Sequence, residues 1–151
     1  RMYALGQGGV KKDTRKAQEI GKELFPWLQE AVARGSDIIV MYARYLLGVC
    51  YSEGLGIKQD LREAIRWYKL SSSQGYNAAQ AYLGYCYFTG TGIPRNIDEA
   101  LRYYKLGAEN GHAGAQCNLG LCYEHGYGVQ KDREVAVKWY RHASEQGDAA
   151  A

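Results

Sequence analysis

Leucine, alanine, aromatic and glycine residues recur along this chain at a fixed spacing of 36 residues. Leu47-Gly48 returns as Leu83-Gly84 and again as Leu119-Gly120. The same spacing relates Tyr51, Tyr87 and Tyr123; Gly54, Gly90 and Gly126; Asp60, Asn96 and Asp132; Ala64, Ala100 and Ala136; Trp67-Tyr68, Tyr103-Tyr104 and Trp139-Tyr140; and Gly75, Gly111 and Gly147. A fixed period of this length indicates a repeat protein, in which each copy forms the same supersecondary unit.

Each copy has the pattern of two helices joined by a glycine-rich turn. Ala79, Leu83 and Cys86 fall on one side of the first helix. Gly90 is expected to end that helix, because glycine adopts the left-handed conformation found at helix termini. Asn96, followed by a glutamate three residues later, resembles a capping box at the start of the second helix. One helical pair cannot bury its own apolar side, so the pattern predicts an all-α fold, a right-handed α-α superhelix (solenoid) of stacked helix-turn-helix repeats.

The motif Leu-Gly-x-x-Tyr-x-x-Gly-x-Gly, followed by Asp or Asn, Ala, an aromatic-Tyr pair and a closing Gly, resembles the Sel-1-like repeat. This family is related to the tetratricopeptide repeat. The resemblance covers nearly the whole chain, with a degenerate first copy that includes Tyr3, Gly6 and Gly8. We therefore predict one domain over residues 1–151. It consists of a partial repeat at 1–35, repeats at 36–75, 76–111 and 112–147, and the start of a further repeat at 148–151.

The period is interrupted around Gly35. Ala17 and Gly35 are 18 residues apart, whereas Ala64 and Gly75 are 11 apart, and the helix after Gly35 is also lengthened. These insertions predict a protruding helical hairpin, with Pro26 kinking or restarting its first helix. Its apolar residues either pack on one another or form an exposed patch for a partner. They are Leu24, Phe25, Trp27, Ile38, Ile39, Val40 and Met41.

Composition and charge narrow the classes of function. The formal net charge is +3, from 19 basic and 16 acidic residues, which does not favour nucleic acid as the partner. The chain has no apolar run long enough to cross a bilayer, so we expect no membrane insertion by this segment. Because the chain begins and ends inside a repeat, we expect a segment of a longer protein.

The cysteines and histidines are the candidate residues for chemistry. Cys50, Cys86 and Cys122 occupy equivalent positions on helices expected to lie too far apart for disulfides, so they are predicted to be buried packing residues. The paired cysteines of secreted Sel-1-like proteins are absent, which favours the cytoplasm. The endoplasmic reticulum lumen or the periplasm stays open if a signal lies outside this segment.

One metal-like cluster contains His112, Cys117, Cys122 and His125. Cys117 and Cys122 are five residues apart and should point to different sides of a helix. We therefore expect no metal, no cofactor and no catalytic residue. The alternative is a thiol- or metal-dependent hydrolase that uses Cys117 and His125.

The resemblance to tetratricopeptide arrays implies that the first helix of each repeat lines a concave face. The residues expected to contact a partner there are Tyr42, Tyr45, Val49, Glu53, Ala81, Tyr85, Phe88, Leu121, Glu124 and His125. Aromatic residues are frequent anchors of protein interfaces. We therefore predict a non-enzymatic adaptor that holds a peptide or helix of a partner protein, with its oligomeric state open. An RNA-binding helical repeat is a further alternative, which would require a basic inner face.

Overall fold

The computed structural model describes the backbone of residues 7–150 and the side chains of residues 14–147. Over this range the chain forms seven α-helices and no strand. The helices are α1 (Gln7–Arg34), α2 (Asp37–Glu53), α3 (Leu61–Ser73), α4 (Asn77–Thr89), α5 (Ile97–Glu109), α6 (Ala113–His125) and α7 (Arg133–Ala150). The predicted all-α helical-repeat fold is confirmed. In the part of the chain that the structure describes, no helix combines the length and apolar character needed to cross a membrane.

The chain consists of two compact units, Arg1–Trp67 and Tyr68–Ala151. In the first unit, α1 packs on α2. Its core contains Phe25 and Leu28 from α1 and Ala43, Leu47 and Cys50 from α2. A turn at Gly35, whose N–H donates to the Ala31 carbonyl at 2.7 Å, lets α2 fold back onto α1.

Helix α1 bears on two predictions. It continues through Pro26, so the helix does not restart there, although this residue has no N–H to donate to the preceding turn; the alternative of a kink stays a prediction. Gly8 also lies inside this helix, and not in an inter-helix turn. Tyr3 and Gly6 lie outside the described residues.

Some apolar residues of the α1–α2 hairpin pack in its interior, and others are exposed on its surface, so each of the two predicted alternatives holds for part of the set. Phe25 is buried, and Leu24 packs against the same core. Trp27, Ile38 and Ile39 are instead 57%, 68% and 48% exposed. The hairpin therefore has an interior of its own and also presents large apolar side chains on its surface.

The second unit contains the hairpins α4–α5 and α6–α7, with α5 packed on α6. Its core includes Leu101, Tyr104, Leu119 and Cys122. The Leu-Gly motif places a glycine where a tyrosine of the following helix crosses. A Cβ atom on Gly84 would lie 2.5 Å from Cδ1 of Tyr104. The repeat therefore uses this glycine for close helix packing.

The turns α2–α3, α4–α5 and α6–α7 use the same hydrogen bonds in the three full copies of the repeat. Gly54, Gly90 and Gly126 adopt left-handed φ values of 67°, 75° and 74°, which confirms their predicted role as helix ends. Each donates its N–H to the carbonyl of the cysteine four residues earlier. Farther along each turn, the N–H groups of Asp60, Asn96 and Asp132 donate to the carbonyls of Tyr51, Tyr87 and Tyr123 at 2.9, 2.9 and 2.8 Å.

Two buried glutamines connect successive helices of the second unit. The Nε2 atom of Gln116 on α6 donates to the Ala108 carbonyl on α5 at 3.1 Å, while its Oε1 accepts from Gln146 on α7 at 2.8 Å. In the preceding repeat, Gln80 donates to the Ser72 carbonyl and accepts from Asn110 at 2.9 Å. These side chains pair the buried polar groups that would otherwise destabilise the interior.

Helix α7 extends beyond the expected repeat boundary. Gly75 and Gly111 have φ values of 89° and 85° and end their helices as predicted, but Gly147 lies inside α7. After Gly111 the chain reverses into α6, which packs on α5. After Gly147 the described residues simply continue the helix to Ala150, so the predicted break at this glycine is wrong.

Candidate functional site

In the first unit, four residues predicted to contact a partner lie along α2. Tyr42 is 48% exposed and Glu53 is exposed, whereas Tyr45 and Val49 are half-buried. Burial raises the pKa of the Tyr45 hydroxyl above its usual range. This face of α2 therefore offers one open aromatic ring and one open carboxylate.

In the second unit, residues predicted from α4 and α6 converge on one cavity. Tyr85 and Phe88 from α4 meet Leu121 and His125 from α6 around a volume of about 380 Å³. This volume lies near the lower end of the range typical of small-molecule sites. The remaining lining residues are Thr89, Tyr104, Asn118, Cys122 and Tyr127.

Aromatic rings form much of the cavity wall. The Phe88 ring packs edge-on against Tyr127, with ring centroids 5.4 Å apart, and lies 6.4 Å from the Tyr104 ring. Tyr127 also contacts the His125 ring at 5.5 Å. Above Phe88, the Arg95 guanidinium lies 5.8 Å from the ring centroid, and its Nε donates to the Phe88 carbonyl at 3.0 Å. These side-chain contacts hold the wall in shape.

The cavity also has hydrogen-bonding groups but no acidic side chain in its lining. Thr89 Oγ1 is engaged with the Tyr85 carbonyl at 2.8 Å and with Thr91. By contrast, the Tyr104 hydroxyl makes no hydrogen bond with any described residue, although the side chain is only 3% exposed. Burial raises the pKa of this hydroxyl well above its usual range, which keeps it protonated and able to donate.

The equivalent tyrosine of the next repeat does have an acceptor. The Tyr140 hydroxyl donates to Oε2 of Glu124 at 2.6 Å. Glu124, predicted to contact a partner through its carboxylate, therefore already holds an intramolecular hydrogen bond. Phe88 occupies the position 36 residues before Glu124, and its side chain has no hydrogen-bond acceptor for the Tyr104 hydroxyl.

Ala81 requires a correction as a surface contact. It is only 8% exposed and belongs to the core of the second unit. A Cβ atom on Gly107 would lie 3.3 Å from the Ala81 backbone nitrogen, so α4 and α5 come very close at this point. Helix α5 therefore covers the side of α4 that carries Ala81, which the prediction had placed on the exposed inner face.

The cysteines have the environments expected of packing residues. Cys50, Cys86 and Cys122 are buried and unbridged, and Cys117 is exposed. Burial raises the pKa of the Cys86 thiol to about 12 and that of Cys122 to about 11. These shifts disfavour the thiolate, which is the form that acts as nucleophile or metal ligand.

His112 has a structural role at the start of α6. Its Nδ1 accepts a hydrogen bond from the Ala115 N–H at 3.1 Å, and burial lowers the pKa of the imidazole. Among the residues that the structure describes, no three or more His, Cys, Asp or Glu side chains are grouped so that they could hold a metal ion.

Several cavity residues could not be recognised from the sequence, because periodicity assigns every recurring apolar position to the protein interior. Tyr104 and Cys122 belong to recurring core columns, so nothing in their spacing distinguishes them from packing residues. Asn118 and Tyr127 lie outside the helix positions assigned to the inner face. A useful signal was available in one column: Phe88 replaces the acceptor that Glu124 provides in the next copy.

Comparisons with known proteins agree with the repeat architecture. The Sel1 repeat model matches residues 1–20, 42–76, 77–112 and 113–148. A solved Sel1 repeat protein from Oxalobacter formigenes is 34% identical, with a TM-score of 0.75 over 86% of this chain and 51% of its own. A protective antigen of uropathogenic Escherichia coli strains, which displays an SLR fold, is 28% identical, with a TM-score of 0.77 over 95% of this chain and 34% of its own.

Two more similarities bear on fold and on length. Cysteine rich protein B of Helicobacter pylori shares the fold at 22% identity, with a TM-score of 0.61 over 94% of both chains. DAP3-binding cell death enhancer 1 of Rattus norvegicus is 42% identical over 38 residues, which is 25% of this chain and 8% of the rat protein. The chain thus spans a small part of this curated relative, and about half and a third of the first two solved proteins.

Proposed function

Because the chain belongs to the Sel1 repeat family, we propose that it is a non-catalytic scaffold that binds a peptide or helix of a partner protein in the cavity between α4 and α6. Proteins of this family are generally protein-interaction scaffolds. The observation that carries the proposal is the convergence of Tyr85, Phe88, Leu121 and His125 on one aromatic-walled cavity. Concave, mostly apolar sites with a few polar groups are typical binding sites.

The exposure of the lining residues suits a protein ligand. Tyr85 and Leu121 are 41% and 42% exposed, so each has a large apolar surface to bury on binding. Burying such a side chain contributes about 25 cal/mol per Å² of apolar surface. In the first unit, Tyr42, Tyr45, Val49 and Glu53 are proposed as a separate contact face.

The alternative functions have less support. A hydrolase would need an activated nucleophile, and Cys117 is an exposed thiol without an identified base. An RNA-binding repeat would need basic side chains on its inner face, and the cavity lining contains neither lysine nor arginine. Loss of a thiol-dependent activity in Cys117→Ser, or steeply salt-dependent RNA binding, would revive these alternatives.

The test measures peptide binding by the 151-residue chain and by matched variants. Peptides selected from a random library are titrated against the wild type, Tyr85→Ala, Leu121→Ala and Val137→Ala. We expect each cavity variant to weaken binding about tenfold or more, since anchor residues contribute well over 1 kcal/mol. Val137→Ala is the control, because this side chain is 46% exposed on α7 and does not line the cavity.

Melting temperatures separate lost binding from lost folding. Tyr85 and Leu121 are partly exposed and lie outside the buried core of the second unit, so their truncation should lower the melting temperature by no more than a few degrees. Equal affinity for the cavity variants and for Val137→Ala would exclude the cavity as the binding site. Failure of every library peptide to bind would argue against peptide recognition itself.

A further inference from the structure

Tyr104 is a buried hydrogen-bond donor on the cavity wall. The residue is only 3% exposed, and it lines the cavity beside Phe88. No described residue accepts a hydrogen bond from its hydroxyl. The hydroxyl oxygen retains a little accessible surface. Because so small a surface leaves little room for water, a ligand that supplies an acceptor replaces a poorly hydrated hydroxyl by a full hydrogen bond.

The next repeat shows which acceptor suits this position. Tyr140 occupies the same column as Tyr104, and its hydroxyl donates to the Glu124 carboxylate at 2.6 Å. Phe88 occupies the column of Glu124, so the corresponding carboxylate is absent where the cavity opens. The repeat that contains Glu124 thus indicates that a carboxylate is the acceptor that Tyr104 lacks.

The other polar groups of the lining also favour an anion. Asn118 makes no side-chain hydrogen bond within the described residues, so its amide can donate, and His125 offers ring nitrogens at the same cavity. No aspartate or glutamate lines the cavity to repel a negative charge. The Arg95 guanidinium, 5.8 Å from the Phe88 ring, adds a positive charge near the wall. Hydrogen bonds to an ionised acceptor are about twice as strong as neutral ones.

We propose that the cavity selects a partner peptide carrying a glutamate or aspartate next to an apolar residue, and that the peptide carboxylate accepts the Tyr104 hydroxyl as Glu124 accepts that of Tyr140. This inference rests on the proposed function and specifies its ligand. The apolar neighbour packs on Phe88 and Leu121, and the carboxylate takes the position that a glutamate occupies in the next repeat.

The experiment uses a random peptide library in which every peptide is acetylated and amidated, so that only side chains carry carboxylates. The selected peptides should contain an acidic residue adjacent to an apolar one. Replacing the acidic residue of the peptide by glutamine or asparagine should weaken binding about tenfold or more. The variant Tyr104→Phe removes only the hydroxyl and should lower the affinity for the acidic peptide by a similar factor.

A double-mutant cycle links the two groups. In Tyr104→Phe, exchanging the acidic residue for its amide should change affinity less than about threefold, because the shared hydrogen bond is already lost. Tyr103→Phe is the matched control, since Tyr103 stacks on Tyr87 with centroids 5.6 Å apart and does not line the cavity. It should leave the effect of the peptide exchange unchanged.

A second variant tests the same idea from within the protein. Phe88→Glu introduces a carboxylate at the position equivalent to Glu124, and this group should engage Tyr104 and compete with the acidic peptide. Binding should then fall by more than in Phe88→Gln.

The outcomes separate this inference from the proposed function. Peptides that bind at the cavity without an acidic residue, or full additivity in the cycle, would overturn the carboxylate and leave peptide binding in place. If no peptide binds, the proposed function fails with it.

Discussion

At the scale of single residues, Gly84 and Gly120 determine how closely successive helices approach. Each lacks a side chain where a tyrosine ring crosses: Tyr104 lies over the first glycine and Tyr140 over the second. The two glycines therefore allow the contact that places both tyrosine hydroxyls near α4 and α6. The shape of the cavity and the packing of the repeat therefore depend on the same residues.

Gly84→Ala should destabilise the protein by about 1–3 kcal/mol, because the new methyl group overlaps the Tyr104 ring and the core must shift. The added Cβ would lie 2.5 Å from that ring. Urea denaturation measures the effect. Gly147→Ala is the matched control, because a Cβ atom added to this helical glycine would meet no neighbouring atom within 4 Å. It should stabilise the protein by up to about 1 kcal/mol through helix propensity. Equal effects of the two substitutions would contradict the packing role of Gly84.

At this scale, the residue columns of the site could be predicted better than its polar groups. Periodicity separates Tyr85, Phe88, Leu121 and His125 from the core because they vary between copies. It cannot show that Tyr104, a recurring core tyrosine, has no acceptor, since that depends on which side chain faces it across α4. Ala81 was misplaced for a similar reason, because the close approach of α5 is a tertiary effect.

At the scale of helices, the second helix of each full repeat begins with a capping residue. Oδ1 of Asn96 accepts the Glu99 N–H at 3.1 Å, and Oδ1 of Asp132 accepts the Val135 N–H at 3.1 Å. The expected return bond of a capping box is replaced, since the Asn96 N–H donates to the Tyr87 carbonyl. Glu99 instead pairs with Arg102 at 2.8 Å. The cap therefore works without the acidic partner.

Asn96→Ala should lower the free energy of unfolding by about 1 kcal/mol, because α5 loses the acceptor for an N-terminal N–H. In a chain of this size, that corresponds to a decrease of about 2–4 °C in melting temperature. Asn96→Asp preserves the cap and should leave the melting temperature within about 1 °C. Glu99→Ala removes the acceptor that a capping box would use and should also change it little, and a loss as large as that of Asn96→Ala would restore the capping-box interpretation.

Helix positions followed from the sequence, whereas two helix lengths did not. Gly54, Gly90 and Gly126 end their helices as predicted because the chain must turn there to pair two apolar faces. Pro26 and Gly147 weaken a helix locally, but local preference does not decide where a helix ends when the flanking turns remain bonded. Helices α1 and α7 therefore continue through them.

At the scale of the whole molecule, the repeated burial of cysteine affects stability at high pH. Burial raises the thiol pKa from 9.0 to about 12 for Cys86 and to about 11 for Cys122. Above pH 9 the unfolded chain loses these protons while the folded chain keeps them. The unfolded state then binds fewer protons, so the free energy of unfolding decreases as pH rises.

The expected decrease is about 1.4 kcal/mol per pH unit for each thiol between pH 9 and pH 11. Urea denaturation at pH 8, 9 and 10 measures the slope. Cys86→Ala and Cys122→Ala should each make it shallower, while Cys117→Ala, at an exposed position, should leave it unchanged. Identical slopes in all three variants would exclude the buried thiols as the cause.

The buried glutamines also have a consequence for protein engineering. Gln80 and Gln116 each donate to a carbonyl of the preceding helix, and neither lines the cavity. Residues 77–112, one of the segments that the Sel1 repeat model matches, contain both Gln80 and its partner Asn110. A duplicated copy of this segment should therefore lengthen the array, and substitutions at positions 85, 88 and 121 should leave these hydrogen bonds in place.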